Sequence, residues 1–223
     1  MRLPAFIVAA VIALASLSAG VAAASQRPPA IVGLPCESCR AALAGLPAMP
    51  PTIARLAPPD EPGEPLHVHG TVRDAAGRPR AGVIIYAHQT DHRGLYPPAP
   101  AGTPAAARSH GRLRAWARSD AEGRYGFLTV RPGGYPGTDI PQHIHLHVIE
   151  PGCALYYIDD VLFSDDPRLT PAQRTKLDQG RGGHGIATPA RRNGSWRVRR
   201  DIVLGRNIPG YPGCGAAPTA GAR

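Results

Sequence analysis

After its first two dozen residues the chain has no apolar run long enough to cross a membrane. It also lacks a glycine-rich phosphate loop, a Gly-x-Ser-x-Gly turn and a His-Glu-x-x-His helix, so three common routes to nucleotide, ester and zinc-peptidase chemistry are closed. Long helices are excluded over much of the N-terminal third, where prolines stand at 47, 50, 51, 58, 59, 62 and 65. Aromatic residues make up only 5% of the chain. The net charge of +9 therefore comes without the aromatic-studded basic surface that nucleic-acid binding favours. The charge is better suited to solubility or to attracting anions.

What is present at the start is a leader-like segment. Arg2 precedes an uncharged apolar run, Ala5 to Leu17, and Ala22-Ala23-Ala24 offers small residues for cleavage before Ser25. Residues 1–24 are therefore expected to be a signal peptide, and the mature chain to be exported, periplasmic or extracellular. Its loss would leave 24 basic against 16 acidic side chains, a charge of +8. The four cysteines, Cys36, Cys39, Cys153 and Cys214, then favour disulfides over free thiols. A redox pair at Cys36-x-x-Cys39 or a four-thiolate zinc site is an alternative. The expected arrangement bonds the two N-terminal cysteines to Cys153 and Cys214, with the partners left open.

The chain divides into four parts. After the leader, residues 25–63 read as a Pro/Ala-rich arm with one short helix over Ser38–Leu46. Residues 64–215 carry many short strands between turns, the pattern of an all-β sandwich with little helix. Strands are expected at 66–72, 81–87, 113–118, 124–130, 143–148, 156–163 and 196–204, with a short helical turn over 171–177. Residues 216–223 form a tail. The strongest local pattern is His143-Ile-His145-Leu-His147-Val148, which alternates polar and apolar. His143, His145 and His147 thus share one strand face. Neighbours on that face are about 6.5 Å apart at Cα, close enough for two imidazoles to meet one metal. His147, about 13 Å from His143, is too far to join the same ion. The turn Pro132-Gly-Gly-Tyr135-Pro136 just upstream can bring a phenol beside them.

Taken in order, the residues resemble the intradiol ring-cleavage dioxygenases, the superfamily of protocatechuate 3,4-dioxygenase and catechol 1,2-dioxygenase. The resemblance covers about 66–206. It rests on Gly70-x-Val72, Gly77-x-Pro79-x-x-Gly82 and Gln89-Thr-Asp91-x-x-Gly94-x-Tyr96. It continues through Asp120-x-x-Gly123-x-Tyr125-x-Phe127-x-Thr129, Tyr135 on its turn, His143-Ile-His145, Phe163-x-Asp165-Asp166-Pro167 and Asp201-Ile-Val-Leu204. The resemblance implies a non-haem Fe(III) held by Tyr96, Tyr135, His143 and His145, a donor set whose hard anionic oxygens suit a trivalent ion. It implies a small aromatic diol and O₂ as substrates, a muconate-type product, and Tyr135 as the group that leaves the metal to take a substrate proton. Homo-oligomerisation is left open, and neither nucleic acid nor a membrane span of the mature chain is implied.

Two positions depart from the family pattern. Ile140 stands where an arginine is usual, and Asp160 where a glutamine is usual. Arg131 and Gln142 are the candidates to replace the missing positive group. The departures imply slow turnover, or none, of unsubstituted catechol, since charge placed near a reacting centre is a large term in rate. Two other readings compete: a transthyretin-like sandwich that binds without catalysis, and a zinc or copper site that adds His67 and His69 to His143 and His145. His67 and His69 alternate on a strand and read as an outer face. His88, His92, His110, His147 and His184 receive no role.

Overall fold

The computed structural model describes residues 28–36 and 38–215. The expected leader, 1–24, and the tail, 216–223, lie outside the described residues. Two mixed β-sheets pack face to face, so the molecule is an all-β sandwich as the strand spacing predicts. In chain order the elements are β1 (Ala30–Ile31), α1 (Cys39–Leu43), β2 (Ile53–Arg55), β3 (Pro65–Arg73) and β4 (Ile84–His88). A 3₁₀ turn (Ala105–His110), β5 (Arg114–Arg118), β6 (Arg124–Val130), β7 (His143–Glu150) and β8 (Ala154–Phe163) follow. α2 (Pro171–Leu177), β9 (Ile186–Ala187), β10 (Ala190–Arg192), β11 (Ser195–Arg199) and β12 (Ile202–Val203) complete the order.

The first sheet runs β1-β8-β7-β4-β5 with β9 on β8, and the second β10-β11-β3-β6-β2 with β12 on β3. β3 shows the simplest sequence-to-structure link. Leu66, Val68 and Val72 are buried, and the intervening His67, His69 and Thr71 are half-buried on the other face. The buried row meets Ile85, Leu146, Val148 and Ile158 of the first sheet in the main core. Burying apolar area of this kind, at about 25 cal/mol per Å², is what holds the two layers together.

β7 differs. Its apolar row faces that core, but its histidine row is also covered. A second apolar cluster explains the cover: Cys39 and Ala42 of α1 lie on Ile84, Tyr86, Ile149 and Leu155, on the outer face of the first sheet. The Trp116 indole N–H donates to the Ala42 carbonyl (2.6 Å) and the Arg114 guanidinium to the Ala44 carbonyl (2.6 Å), which pins α1 there. α1 is shorter than the expected 38–46. Ala44 is already extended, Gly45 takes φ +85°, and Pro47 follows, so the helix has no way to continue.

The arm is not separate from the sandwich. β1 pairs in parallel with Ala154 and Leu155, and β2 with Gly126 to Leu128, so residues 30–55 supply an edge strand to each sheet. The expected strand over 196–204 is broken into β11 and β12. At the break Arg200 is 1% exposed, and its guanidinium donates to the carbonyls of Asp159, Arg181, Gly182 and Asp201. Its own carbonyl accepts from the Tyr125 hydroxyl (2.7 Å) and lies against Gly70, where a Cβ would overlap it. This close approach is why position 70 needs glycine.

The cysteines are oxidised, but the expected cross-links between arm and body are not formed. Cys36 bonds Cys39, and Cys153 bonds Cys214. The Cys36 and Cys39 Cα atoms are 5.4 Å apart at the start of α1, so the nearest partner for each is the other. The second bridge holds the C-terminal segment to the β7–β8 turn.

Candidate metal centre

Five pieces of chain converge on the outer face of the first sheet: β4, β7, β8 and the loops carrying Tyr96 and Tyr135. The two loops are locked together through their backbones. Gly133 N–H donates to the Asp91 carbonyl (2.8 Å), and the Thr90 hydroxyl to the Gly133 carbonyl (2.9 Å). Gly94, at φ +83°, sits so close to the Gly134 carbonyl that a Cβ would overlap it. The Asp91 carboxylate caps the turn before Tyr96 by accepting from the backbone N–H of Arg93 (2.9 Å) and Leu95 (3.0 Å) and from the Arg93 guanidinium. Arg168 donates to the carbonyls of Tyr135 (3.2 Å) and Ile140 (3.4 Å), holding the second loop from outside.

Four donor atoms meet inside this frame. Tyr96 Oη lies 2.9 Å from Tyr135 Oη, and Tyr135 Oη lies 3.3 Å from both His143 Nε2 and His145 Nε2. The two Nε2 atoms are 3.1 Å apart. Ligands that bind one ion at about 2.1 Å stand about 3.0–3.4 Å from one another at ordinary bond angles. All four sequence-predicted residues are therefore brought together.

The hydrogen-bond balance shows why this cluster suits a cation. His143 Nδ1 faces the Pro141 carbonyl (2.7 Å), which can only accept, so Nδ1 carries the proton. His145 Nδ1 faces the Asp160 carboxylate (3.2 Å) and donates likewise. When both rings are neutral, their Nε2 atoms present lone pairs to each other. The two phenols hold two protons between them, and the 2.9 Å contact between their oxygens uses one. In that state one imine lone pair is left without a donor, whereas a His145 protonated beside Asp160 donates Nε2–H to His143 Nε2. A cation bound among them would take the lone pairs of these atoms in place of shared protons. Burial raises the Tyr96 phenol well above its usual value, with the Tyr135 contact adding to it, and raises Tyr135 as well. A highly charged ion is what would make phenolates of them. Burial lowers His143; at His145 burial also pulls down, but Asp160 outweighs it and the net shift is upward.

Asp160 reaches His145 because β8 is irregular there. Ile144 pairs with Val161 and Leu146 with Ile158, so Asp159 and Asp160 together stand opposite the single His145. Such a bulge re-aims a side chain. A carboxylate on the far nitrogen of a ligand histidine fixes both ring orientation and tautomer. This use of position 160 was not readable beforehand.

The neighbouring histidines have more structure than the sequence assigned to them. His88 pairs across the strands with His145, and the rings stack at 4.5 Å. His110 stacks on His88 at 3.7 Å and accepts from or donates to Tyr86 Oη (2.7 Å). Burial holds His88 well below its ordinary value, His110 at about 4 and His147 at about 3, so these imidazoles are neutral. With Tyr96, His145 and Asp160 they wall a cavity of about 370 Å³. The strand period had placed His147 on the right face; the positions of His88 and His110 depend on cross-strand register, which a single sequence does not give.

Other expected residues stay away. His67 and His69 belong to the second sheet, with ring centroids 5.4 Å apart beside Arg197 and Arg199. The four-histidine zinc or copper arrangement is thus not formed. Ile140 is 37% exposed. Arg131 does not replace the missing cation: it donates to Gln142 Oε1 (2.9 Å), pairs with Asp165 and lies over Phe163 and Trp196. Arg131 and Gln142 occupy each other, and neither walls the cavity beside Tyr96 and His145.

A protein-family model described as "Dioxygenase" matches residues 48–176, more than half the chain. The chain belongs to the intradiol dioxygenase superfamily. Among curated intradiol dioxygenases it is similar to catechol 1,2-dioxygenase 2 of Acinetobacter lwoffii, 30% identical over 148 residues, 54% of this chain and 52% of the relative. It is also similar to the protocatechuate 3,4-dioxygenase beta chain of Burkholderia cepacia, 30% identical over 112 residues, 48% of each. The chain spans about half the length of these curated relatives. In structure it resembles the dioxygenase domain of a dioxygenase–carbohydrate-binding fusion from Streptomyces sp. SirexAA-E. That match has a TM-score of 0.54 and 24% identity, covering 71% of this chain and 91% of that one. At this identity the structural likeness establishes the shared fold.

Proposed function

We propose that this intradiol dioxygenase relative is an exported non-haem Fe(III) enzyme that cleaves a catechol-like aromatic ring with O₂ to a muconate-type product. The observation that carries the reading is the four-atom cluster of Tyr96, Tyr135, His143 and His145, whose neighbouring atoms stand 2.9–3.3 Å apart. Ferric iron held there would act as a Lewis acid toward a diol and O₂. The rest of the work falls to the chain. Asp160 keeps the Nδ1 proton on His145 and so leaves Nε2 free to ligate. Tyr135, hub of the cluster, would take a proton from a substrate hydroxyl, a role supported by its 2.9 Å contact with the Tyr96 hydroxyl. The cavity beside Tyr96 and His145 has the volume of a small-ligand site. Its His88, His110 and His147 imidazoles, held neutral by burial, and its tyrosine hydroxyls supply hydrogen bonds to ring hydroxyls, and among the described residues no arginine or lysine lines it.

That lining, with Ile140 in place of a cation, supports an electron-rich hydroxylated catechol as substrate and slow turnover of catechol itself. Export is supported by the apolar run after Arg2 and by the two disulfides. The test is oxygen uptake and product absorbance with iron-loaded protein and 1,2,4-trihydroxybenzene or catechol. Ring cleavage of the triol at a rate well above that of catechol is expected. Absence of cleavage with both would refute the enzymatic reading, and equal rates would refute the argument from Ile140.

A further inference from the structure

We propose a second metal site, opened by reduction, in which Cys36, Cys39 and His147 bind a thiophilic d¹⁰ cation such as Zn²⁺. Each offers one ligand atom, and these atoms lie within 4.8 Å of one another. The Cys-x-x-Cys spacing is one at which two thiolates share a zinc ion. The Cα separation of 5.4 Å shows that the two side chains already face each other. His147 is the independent observation. It is 3% exposed, and among the described residues its Nδ1 has no hydrogen-bond partner. A buried imidazole nitrogen without a partner is costly, and a ligand nitrogen has a use. Cys36 and His147 both line the cavity described above, which leaves space for water as a fourth ligand. The donors are distinct from Tyr96, Tyr135, His143 and His145, so the site does not depend on the iron reading.

The disulfide is the closed form. A phosphine reductant breaks the S–S bond with two electrons; water supplies the oxygen of the phosphine oxide and the protons of the two thiols. Binding of the cation then releases those two protons as the thiolates form.

The experiment uses the full-length protein, oxidised or phosphine-treated under native conditions, with Co²⁺ alone as the probe. Bound cobalt and the thiolate-to-cobalt charge-transfer band in the near ultraviolet are measured. The expected result is about one additional cobalt per chain after reduction, with the band present only in the reduced protein. Cys36→Ser/Cys39→Ser should lose the band, Cys153→Ser/Cys214→Ser should keep it, and His147→Gln should weaken binding at least tenfold, about the smallest effect of disturbing a metal's ligand sphere. The comparison of oxidised with reduced protein needs no variant and so survives any folding failure. No extra cobalt after reduction, no thiolate band, or a pair that cannot be reduced in the folded protein would overturn the proposal. Loss of the band in the Cys153→Ser/Cys214→Ser variant while it remains folded would do so too.

Discussion

At residue scale the chemistry of the site depends on which atoms hold protons. The Asp160 carboxylate and the Pro141 carbonyl each claim an Nδ1 proton, and that alone aims two Nε2 lone pairs at two phenols. Asp160→Ala removes one of the two orienting groups while leaving every donor atom in place. The expected outcome is a loss of metal affinity of about 10–100-fold, with Asp160→Asn intermediate because its carbonyl can still accept. Competitive chelation of the metal-loaded variants checks it, and unchanged affinity in Asp160→Ala would show that His145 is oriented by packing against His88 instead. His143 and His145 are legible from strand alternation, whereas Tyr96 and Tyr135 are singled out only by the family resemblance. Asp160 was legible only as a departure. Its task depends on the bulge opposite His145, and a bulge is a property of two strands at once. His88 and His110 were missed for the same reason, since neither has a partner nearby in sequence.

At the scale of elements, the loops do as much as the strands. The motif Gln89-Thr-Asp91-x-x-Gly94 acts as a clamp: Gln89 donates to the Val130 carbonyl, Thr90 to the Gly133 carbonyl, and Asp91 folds the turn that delivers Tyr96. Burial pushes the Asp91 carboxyl up, but the hydrogen bonds from Leu95 and Arg93 outweigh it and hold it below the usual carboxylate range. A group whose folded value is depressed stabilises the fold above its unfolded value, near 3.9, and loses that contribution as pH falls through the folded value. Asp91→Ala should therefore cost roughly 1–3 kcal/mol near neutral pH, and the gap from the native protein should close below about pH 4. Thermal unfolding across pH measures it, and a gap that persists in acid would mean the cost is one of packing. The strand positions themselves came from period-two alternation and turn residues. The failures were at α1, where Gly45 and Pro47 cut the helix short, and at Arg200, whose buried guanidinium breaks one strand into two.

At the scale of the molecule, the sandwich was legible from the number and spacing of short strands, but the place of the N-terminal segment was not. Prolines mark residues 25–63 as irregular, and irregular chain reads as an arm. Edge strands as short as β1 and β2 leave no periodic signal, and the cover that α1 gives the histidine face is a matter of tertiary packing. The disulfides follow the same logic. The Cys153–Cys214 bridge closes a loop of 61 residues and is worth about 4 kcal/mol by loop entropy, whereas Cys36–Cys39 closes a loop of 3 and is worth about 1.6 kcal/mol. The first holds the end of the chain to the sandwich, and the second holds little beyond itself. No helix among the described residues is long and apolar enough to cross a membrane.

The proposed function stands on one ferric ion among Tyr96, Tyr135, His143 and His145. Its most direct test is the visible absorption spectrum of aerobically purified protein, read with iron content, before and after adding a catechol and again in Tyr135→Phe. The expected result is a phenolate-to-iron charge-transfer band with about one iron per chain, a change in that band when a diol binds, and a shifted or bleached band in a folded Tyr135→Phe. A colourless protein that takes up no ferric iron, or a band that Tyr135→Phe leaves untouched, would contradict it.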